Sequence, residues 1–213
     1  MIPLIKKLKK RTHRNTAMAQ DLMVIEIYNN FPDTVIHGGT AIWRCYSSNR
    51  FSEDIDILLP KKYKNEKFLN NFLASVKKKG FNVIKFKKTG SSLFGKFSFS
   101  GSIVSIEAIF INKKNFLTKE FELVEGNFIT VYTLTVEDLI EEKVEAYLKR
   151  RKVRDLYDIY YLLKFADRDK IKKILKKFNY NKPLDEKELK VLIYIGSVPK
   201  VEDMMEEIKK WAK

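Results

Sequence analysis

Thiols are nearly missing from this chain: Cys45 is the single cysteine among 213 residues. One thiol excludes an internal disulfide and suggests no cysteine-based metal cluster. Its position after a glycine turn, on a predicted buried helix face, makes it a core residue by expectation. Histidine is limited to His13 and His37. Neither has a partner at metal-ligand or triad spacing, and both are read as structural, although His37, one residue before a glycine pair, is placed to touch a ligand bound there. No stretch approaches the roughly 20 consecutive apolar residues that cross a bilayer. The run Met1-Ile2-Pro3-Leu4-Ile5-Lys6-Lys7 is too short in apolar residues for a secretory signal. A cytoplasmic protein with no membrane partner is the expectation. Internal repeats and low-complexity segments are also missing.

What is present argues for a folded globule, with 45% hydrophobic and 13% aromatic residues outweighing 32% charged ones. The charge is unevenly placed. Residues 1–136 hold 22 Lys+Arg against 11 Asp+Glu, a net of +11, while 137–213 hold 20 against 16, a net of +4. Such an excess suits a polyanionic partner, nucleic acid or nucleotide phosphates. The alternative is the Lys-rich surface of a thermophile, but there Glu rises with Lys, and here Lys outruns Glu. Lys6, Lys7, Lys9, Lys10, Arg11 and Arg14 make one basic patch; Lys77–Lys79 and Lys85, Lys87 and Lys88 make two more.

Hydrophobic periodicity predicts a helix over 16–29, from Met18, Leu22, Ile25 and Tyr28, ended by Pro32. A short strand over 34–37 runs into Gly38-Gly39-Thr40, and a second covers 54–58. Phe68, Leu69, Phe72, Leu73 and Val76 predict an amphipathic helix with Gly80 as its C-cap. Three runs rich in Phe, Val and Ile between Phe81 and Ile111 read as an antiparallel meander. After Thr133 the pattern is helical over 136–149, 154–165, 170–178, 185–194 and 201–211. The fold class expected is α+β, a small mixed sheet followed by a C-terminal helical bundle that closes the site. A boundary within 112–134 gives domains 1–132, first helix included, and 133–213.

The chemistry is concentrated in a few residues. A glycine pair between strand and helix lets the backbone approach a ligand closely. The helix starting near Thr40 then offers N–H groups and a positive dipole end to a phosphate, with the Thr40 hydroxyl as a further donor. Asp54 and Asp56 are two apart on a strand, so both carboxylates point to one face. They repel unless a cation lies between them, and Mg²⁺ prefers such hard oxygen ligands. Glu107, the only acid between Glu66 and Glu120, sits in an apolar run and is a candidate third carboxylate, with a solvent-facing strand position as the plain alternative. Lys143 and Arg150, seven apart, share a helix face and suit a triphosphate, the first as a point charge and the second as a fork. Arg154 and Asp158 stand at i,i+4, the spacing of a surface ion pair.

Taken together, Gly38-Gly39-Thr40-Ala41, Arg50-Phe51-Ser52-Glu53-Asp54-Ile55-Asp56-Ile57, Glu142-Lys143, Arg150 and Arg154-Asp155-Leu156-Tyr157-Asp158 resemble the AbiEii/AbiGii nucleotidyltransferases, relatives of DNA polymerase β that act as toxins in toxin–antitoxin pairs. The resemblance covers residues 36–163; Gly-Gly-Thr replaces the Gly-Ser usual in the wider superfamily. It implies transfer of a nucleoside monophosphate from a triphosphate to an acceptor hydroxyl, on RNA and above all tRNA, with Mg²⁺ or Mn²⁺ as cofactor and an antitoxin protein as partner. Implied metal ligands are Asp54, Asp56 and Glu107. Implied catalytic residues are Asp54, Asp56, Lys143, Asp155 and Asp158, and implied nucleotide-binding residues are Gly38, Gly39, Thr40, Arg50, Ser52, Lys143, Arg150 and Arg154. The alternatives are transfer to a small molecule or protein side chain, and a binding module without turnover.

Overall fold

Ile55, Ile57 and Leu59 alternate with Asp54, Asp56 and Leu58, and this period of two builds the strand on which the sheet is centred. The computed structural model describes residues 2–112 and 115–213. The first half of the chain runs α1 (Leu4–Lys7), α2 (Arg11–Asn30), β1 (Val35–His37), α3 (Gly38–Cys45), β2 (Asp54–Leu59), α4 (Glu66–Lys78), β3 (Asn82–Lys88), β4 (Ser92–Phe99), β5 (Ser102–Phe110), β6 (Leu117–Glu122) and β7 (Phe128–Thr133). The second half contains α5 (Val136–Arg150), α6 (Val153–Leu162), α7 (Arg168–Leu175), α8 (Leu189–Leu192) and α9 (Val201–Ala212). Residues up to Ser47 and Ser52–Thr133 form one compact unit; Ser48–Phe51 and Leu134–Lys213 form the other. The α+β class with a mixed sheet and C-terminal helices is as expected.

In the first unit the strands lie in the order β3-β4-β5-β2-β1-β7-β6. β2 runs parallel to β5 and β1 parallel to β7, and the other neighbours are antiparallel. One face is dry. Ile36, Ile55, Ile57, Leu59, Phe97, Ile106 and Ala108 turn to it, and Met23, Val24 and Ile27 of α2 with Leu69, Phe72 and Val76 of α4 close it. Each such large side chain contributes about 1.5–3 kcal/mol when withdrawn from water. The opposite face carries Asp54, Asp56 and Glu107. In the second unit, Leu139, Val144 and Tyr147 of α5, Leu156 and Ile159 of α6, Ile171 and Leu175 of α7 and Met204 and Ile208 of α9 are buried.

Two local expectations need correction, and one stretch holds structure that the sequence did not suggest. α2 begins at Arg11, not Thr16. Its first turn lacks both a side-chain cap and apolar periodicity, and continues instead from a segment tied down by Leu4 and Leu8, whose carbonyl accepts from Arg14 Nε at 2.5 Å. The stretch 112–134 contains a hairpin, β6–β7, turned at Gly126 with φ +95°. β6 looks polar in sequence for three different reasons: Glu120 is exposed on an edge strand, where a charge guards against further pairing, Lys119 lies 4.7 Å over the Tyr46 ring, and Glu122 is buried with Lys7 as its partner at 3.5 Å. Finally, the helix expected over 185–194 is a 3-10 turn, Glu186–Glu188, and the four-residue α8. Ile193 leaves the helix because Arg50 bridges to it, Phe51 N–H bonds the Leu192 carbonyl at 2.9 Å and Tyr194 N–H bonds that of Asn49 at 3.1 Å.

A buried ion pair joins elements of the first unit. Arg44 of α3 is 1% exposed and bonds the Asp21 carboxylate of α2, its guanidinium lying over Phe121 at 5.0 Å. Asp21 also accepts the Val124 N–H at 2.7 Å. Burial pushes the Asp21 carboxyl up to about 6, with Arg44 and the Val124 bond pulling the other way. A raised folded pKa means that the native protein holds the proton more tightly than the unfolded chain. Asp21 therefore contributes stability that is complete below pH 3.8 and lost as the pH rises through about 6. The expected NMR titration midpoint of the Asp21 carboxyl carbon is near 6, and the unfolding free energy should fall across that window less steeply in Asp21→Asn. A midpoint at the ordinary aspartate value would show the carboxyl to be solvated.

Candidate active site

β1 stops at His37, and the chain must enter α3 within one residue. Gly38 makes the turn at φ +65°, in the left-handed region that other residues avoid. A side chain is excluded there for a second reason. A Cβ on Gly38 would fall 2.9 Å from Asp56 Cγ and closer still to Oδ2. The Asp56 carboxylate thus rests directly against the glycine backbone. Thr40, fully buried, donates its hydroxyl to the Asp54 carbonyl at 2.5 Å. That hydroxyl, expected to face a phosphate, here fastens α3 to β2, so what α3 offers a ligand is its first-turn N–H groups.

Register then assembles the acids. β1 pairs His37 with Asp56, and β5 pairs Glu107 with Asp56 and Ser105 with Asp54. In turn β4 pairs Phe94 with Glu107. Lateral neighbours on adjacent strands share a face at about 4.8 Å, so Phe94, Glu107, Asp56 and His37 form one row, with Asp54 one step behind Asp56. An open pocket of about 270 Å³ lies over that row, lined by His37, Asp56, Ser92, Phe94, Glu107 and Ile109 among others. Among the described residues no three His, Cys, Asp or Glu side chains already close on a common point. The three acids present a shared face of hard oxygen ligands rather than a finished cage.

Gln20 was not singled out by the sequence. It is wholly buried on α2 and donates Nε2 to the carbonyls of Ser52 at 3.0 Å and Glu53 at 2.7 Å. It therefore fixes the backbone immediately before Asp54. The only signal in the sequence is an amide on an otherwise apolar helix face, which many exposed glutamines would mimic.

The second unit holds the other motif residues, and here the pairing differs from expectation. Asp155 and Asp158 are three apart on α6 and both are 0% exposed. Arg50 reaches Asp158 with Nε at 2.7 Å and Nη2 at 2.8 Å. Arg150 reaches Asp155 in the same fork, at 2.7 and 2.8 Å. Lys143 sits between them, 2.8 Å from Asp158 and 3.6 Å from Asp155. Arg151, at φ 50°, ends α5 and lets α6 begin two residues later, which sets Arg150 against the first turn of α6. Asp158 is not the partner of Arg154, which lies half-buried outside this cluster. Burial opposes ionisation of Asp158, yet the Arg50 guanidinium and then Lys143 outweigh it and hold the carboxyl below its ordinary value. The stability it supplies is therefore present above pH 3.8 and lost as the pH falls through the lower folded value.

A mixed sheet with carboxylates on its open face beside a glycine-started helix, and a helical unit bearing the R-D-x-x-D motif, place the protein among the nucleotidyl transferases. The family model described as nucleotidyl transferase AbiEii toxin, Type IV TA system, matches residues 22–194. The chain belongs to this family and is a nucleotidyltransferase. In fold it is similar to the crystal structure of JHP933 from Helicobacter pylori, with a TM-score of 0.59 and 21% identity, over 92% of this chain and 90% of that one. No curated protein matches.

Three cations face two carboxylates in the cluster, and each carboxylate has its own guanidinium fork. Arg50→Met would leave Asp158 buried with Lys143 as its sole counter-ion, and the expected loss is about 3–5 kcal/mol. Lys143→Met leaves both forks intact, and a markedly smaller loss is expected. Urea unfolding of the two variants checks this, and equal losses would show the forks not to be independent.

Proposed function

We propose that this nucleotidyltransferase moves a nucleoside monophosphate from a triphosphate to a hydroxyl of RNA, with tRNA the first candidate, and that a cognate antitoxin protein restrains it. The observation that carries the reading is the acid row, with Asp56 fitted against Gly38 and Asp54 and Glu107 on the same open face. The donor set suits Mg²⁺ or Mn²⁺, since such ions are usually held by one or two carboxylates and completed by water and substrate phosphates. Asp54 and Asp56 would hold the ion, with Glu107 beside them, and the ion would neutralise phosphate charge.

In the reaction the acceptor oxygen bonds to the α-phosphorus as the bond to the bridging oxygen breaks. Pyrophosphate leaves with that electron pair, and the hydroxyl proton passes to the Asp54/Asp56 pair. Gly38, Gly39 and the backbone of Thr40 would steady the triphosphate at the start of α3, with Ser52 as a further contact, and positioning would supply most of the rate. Arg154, half-buried on α6, is a further candidate for a phosphate. Lys143 is the surplus cation of its cluster and is assigned to a phosphate. Arg50, Arg150, Asp155 and Asp158 hold it in place as positioning residues. The excess of Lys and Arg over residues 1–136 supports a polyanionic acceptor rather than a small molecule.

Incubation with cellular RNA and each α-labelled triphosphate tests the reading. Label in RNA is expected with Mg²⁺ or Mn²⁺ and should disappear in Asp54→Ala and Asp56→Ala, which remove charge repulsion and keep the fold. Lys143→Met should weaken triphosphate binding measured by calorimetry. Label appearing only in protein or small molecules, or undiminished transfer in Asp56→Ala, would sink the proposal.

A further inference from the structure

Basic residues are spread through the first unit, and the sheet register sorts them by face. β3 pairs Lys85 with Lys96 and Lys87 with Phe94. β4 pairs Lys96 with Ser105 and Phe94 with Glu107, and β5 pairs Ser105 with Asp54 and Glu107 with Asp56. Two parallel rows result: Lys85, Lys96, Ser105, Asp54 and Lys87, Phe94, Glu107, Asp56. Three lysines and one aromatic ring therefore stand on the same face as the acids. At about 4.8 Å per strand, Lys96 is roughly 10 Å and Lys85 roughly 14 Å from Asp54 along its row.

The other lysines near these in sequence belong elsewhere. Lys88 pairs with Glu66 at the start of α4 at 3.2 Å, and Lys79 pairs with Glu26 of α2 at 3.7 Å, on the side covered by those helices. By contrast, Lys85, Lys87 and Lys96 make no ion pair among the described residues. Lys85 and Lys87 are exposed, Lys96 and Phe94 are half-buried, and the Lys85 ammonium lies 5.6 Å above the Phe94 ring. Ammonium groups without carboxylate partners are where a phosphate backbone gains most from releasing its counterions. A ring among them stacks a base without regard to sequence, which a single strand permits and a paired duplex does not.

We propose that a single-stranded end of the acceptor RNA lies across this face, from the β3 edge towards Asp54 and Asp56, with its phosphates on Lys85, Lys87 and Lys96 and one base stacked on Phe94. The inference rests on RNA being the acceptor.

The test measures binding of a labelled single-stranded RNA across a range of salt for wild type, Lys85→Glu/Lys96→Glu, Phe94→Ala and Lys77→Glu/Lys78→Glu, each checked for folding by circular dichroism. For the Lys85→Glu/Lys96→Glu variant, affinity should fall at least about tenfold at low salt and the log–log salt slope should become shallower by about 1.4, two phosphates at roughly 0.7 each. Phe94→Ala should lose roughly tenfold with the slope unchanged. The α4 variant should match wild type. Wild type that binds RNA while Lys85→Glu/Lys96→Glu keeps its slope, or an α4 variant that loses as much, overturns the track and leaves the RNA reading standing. Loss of triphosphate affinity in Lys85→Glu/Lys96→Glu, measured without RNA, assigns these lysines to the nucleotide and also overturns it. Wild type that neither binds nor labels RNA at low salt removes both.

Discussion

The backbone pairing of β2 with β1 on one side and β5 on the other is the constraint from which the first unit follows. It locks the register, and register decides which side chains are dry. A slip of one residue would send Asp54 and Asp56 into the core formed by α2 and α4 and expose Ile55 and Ile57. Burying two unpaired carboxylates is prohibitive, so the register that makes the core is also the one that gathers the acids. Thr40 and Gln20 reinforce it, since Thr40 bonds the Asp54 carbonyl and Gln20 those of Ser52 and Glu53 just before it. Core packing and acid placement are thus a single solution.

Much of this was legible in the residues. The alternation in β2, the glycine pair and the three apolar runs of β3–β5 each carry a local rule, and the structure follows them. What escaped were features set by contacts distant in sequence. β6 reads as polar because Glu120 sits on an exposed edge and Glu122 is buried against Lys7, 115 residues earlier, and its partner β7 gains its place from β1, nearly a hundred residues earlier. The segment 185–194 has good helical spacing, but pairing with Ser48–Phe51 claims its end. In the candidate site, the Asp54/Asp56 face was readable from spacing, and the place of Glu107 beside Asp56 needed the parallel pairing of β5. The partners of Asp158 were not readable at all, since Arg50 lies 108 residues away.

Two buried carboxylates respond to pH in opposite senses. Asp21 has one guanidinium partner and a burial penalty that prevails, so its proton is retained above the ordinary range. Asp158 is more deeply buried, yet a forked guanidinium and an ammonium together hold it ionised. The difference lies in the number and geometry of the cations, not in depth. Acid therefore loosens the second unit through Asp158 while favouring the local state of Asp21 in the first.

The four residues Ser48–Phe51 belong to the second unit although they lie between α3 and β2 of the first. That unit is consequently discontinuous in sequence, and a gene fragment encoding only 134–213 would omit Arg50 and the strand-like contacts to Leu192 and Tyr194. A fragment ending at 133 would keep Ser48–Phe51 with nothing to receive it. Neither half is a portable module. Recombination, truncation or proteolytic clipping between 51 and 134 separates Arg50 from Asp158 and leaves the second unit without its first four residues.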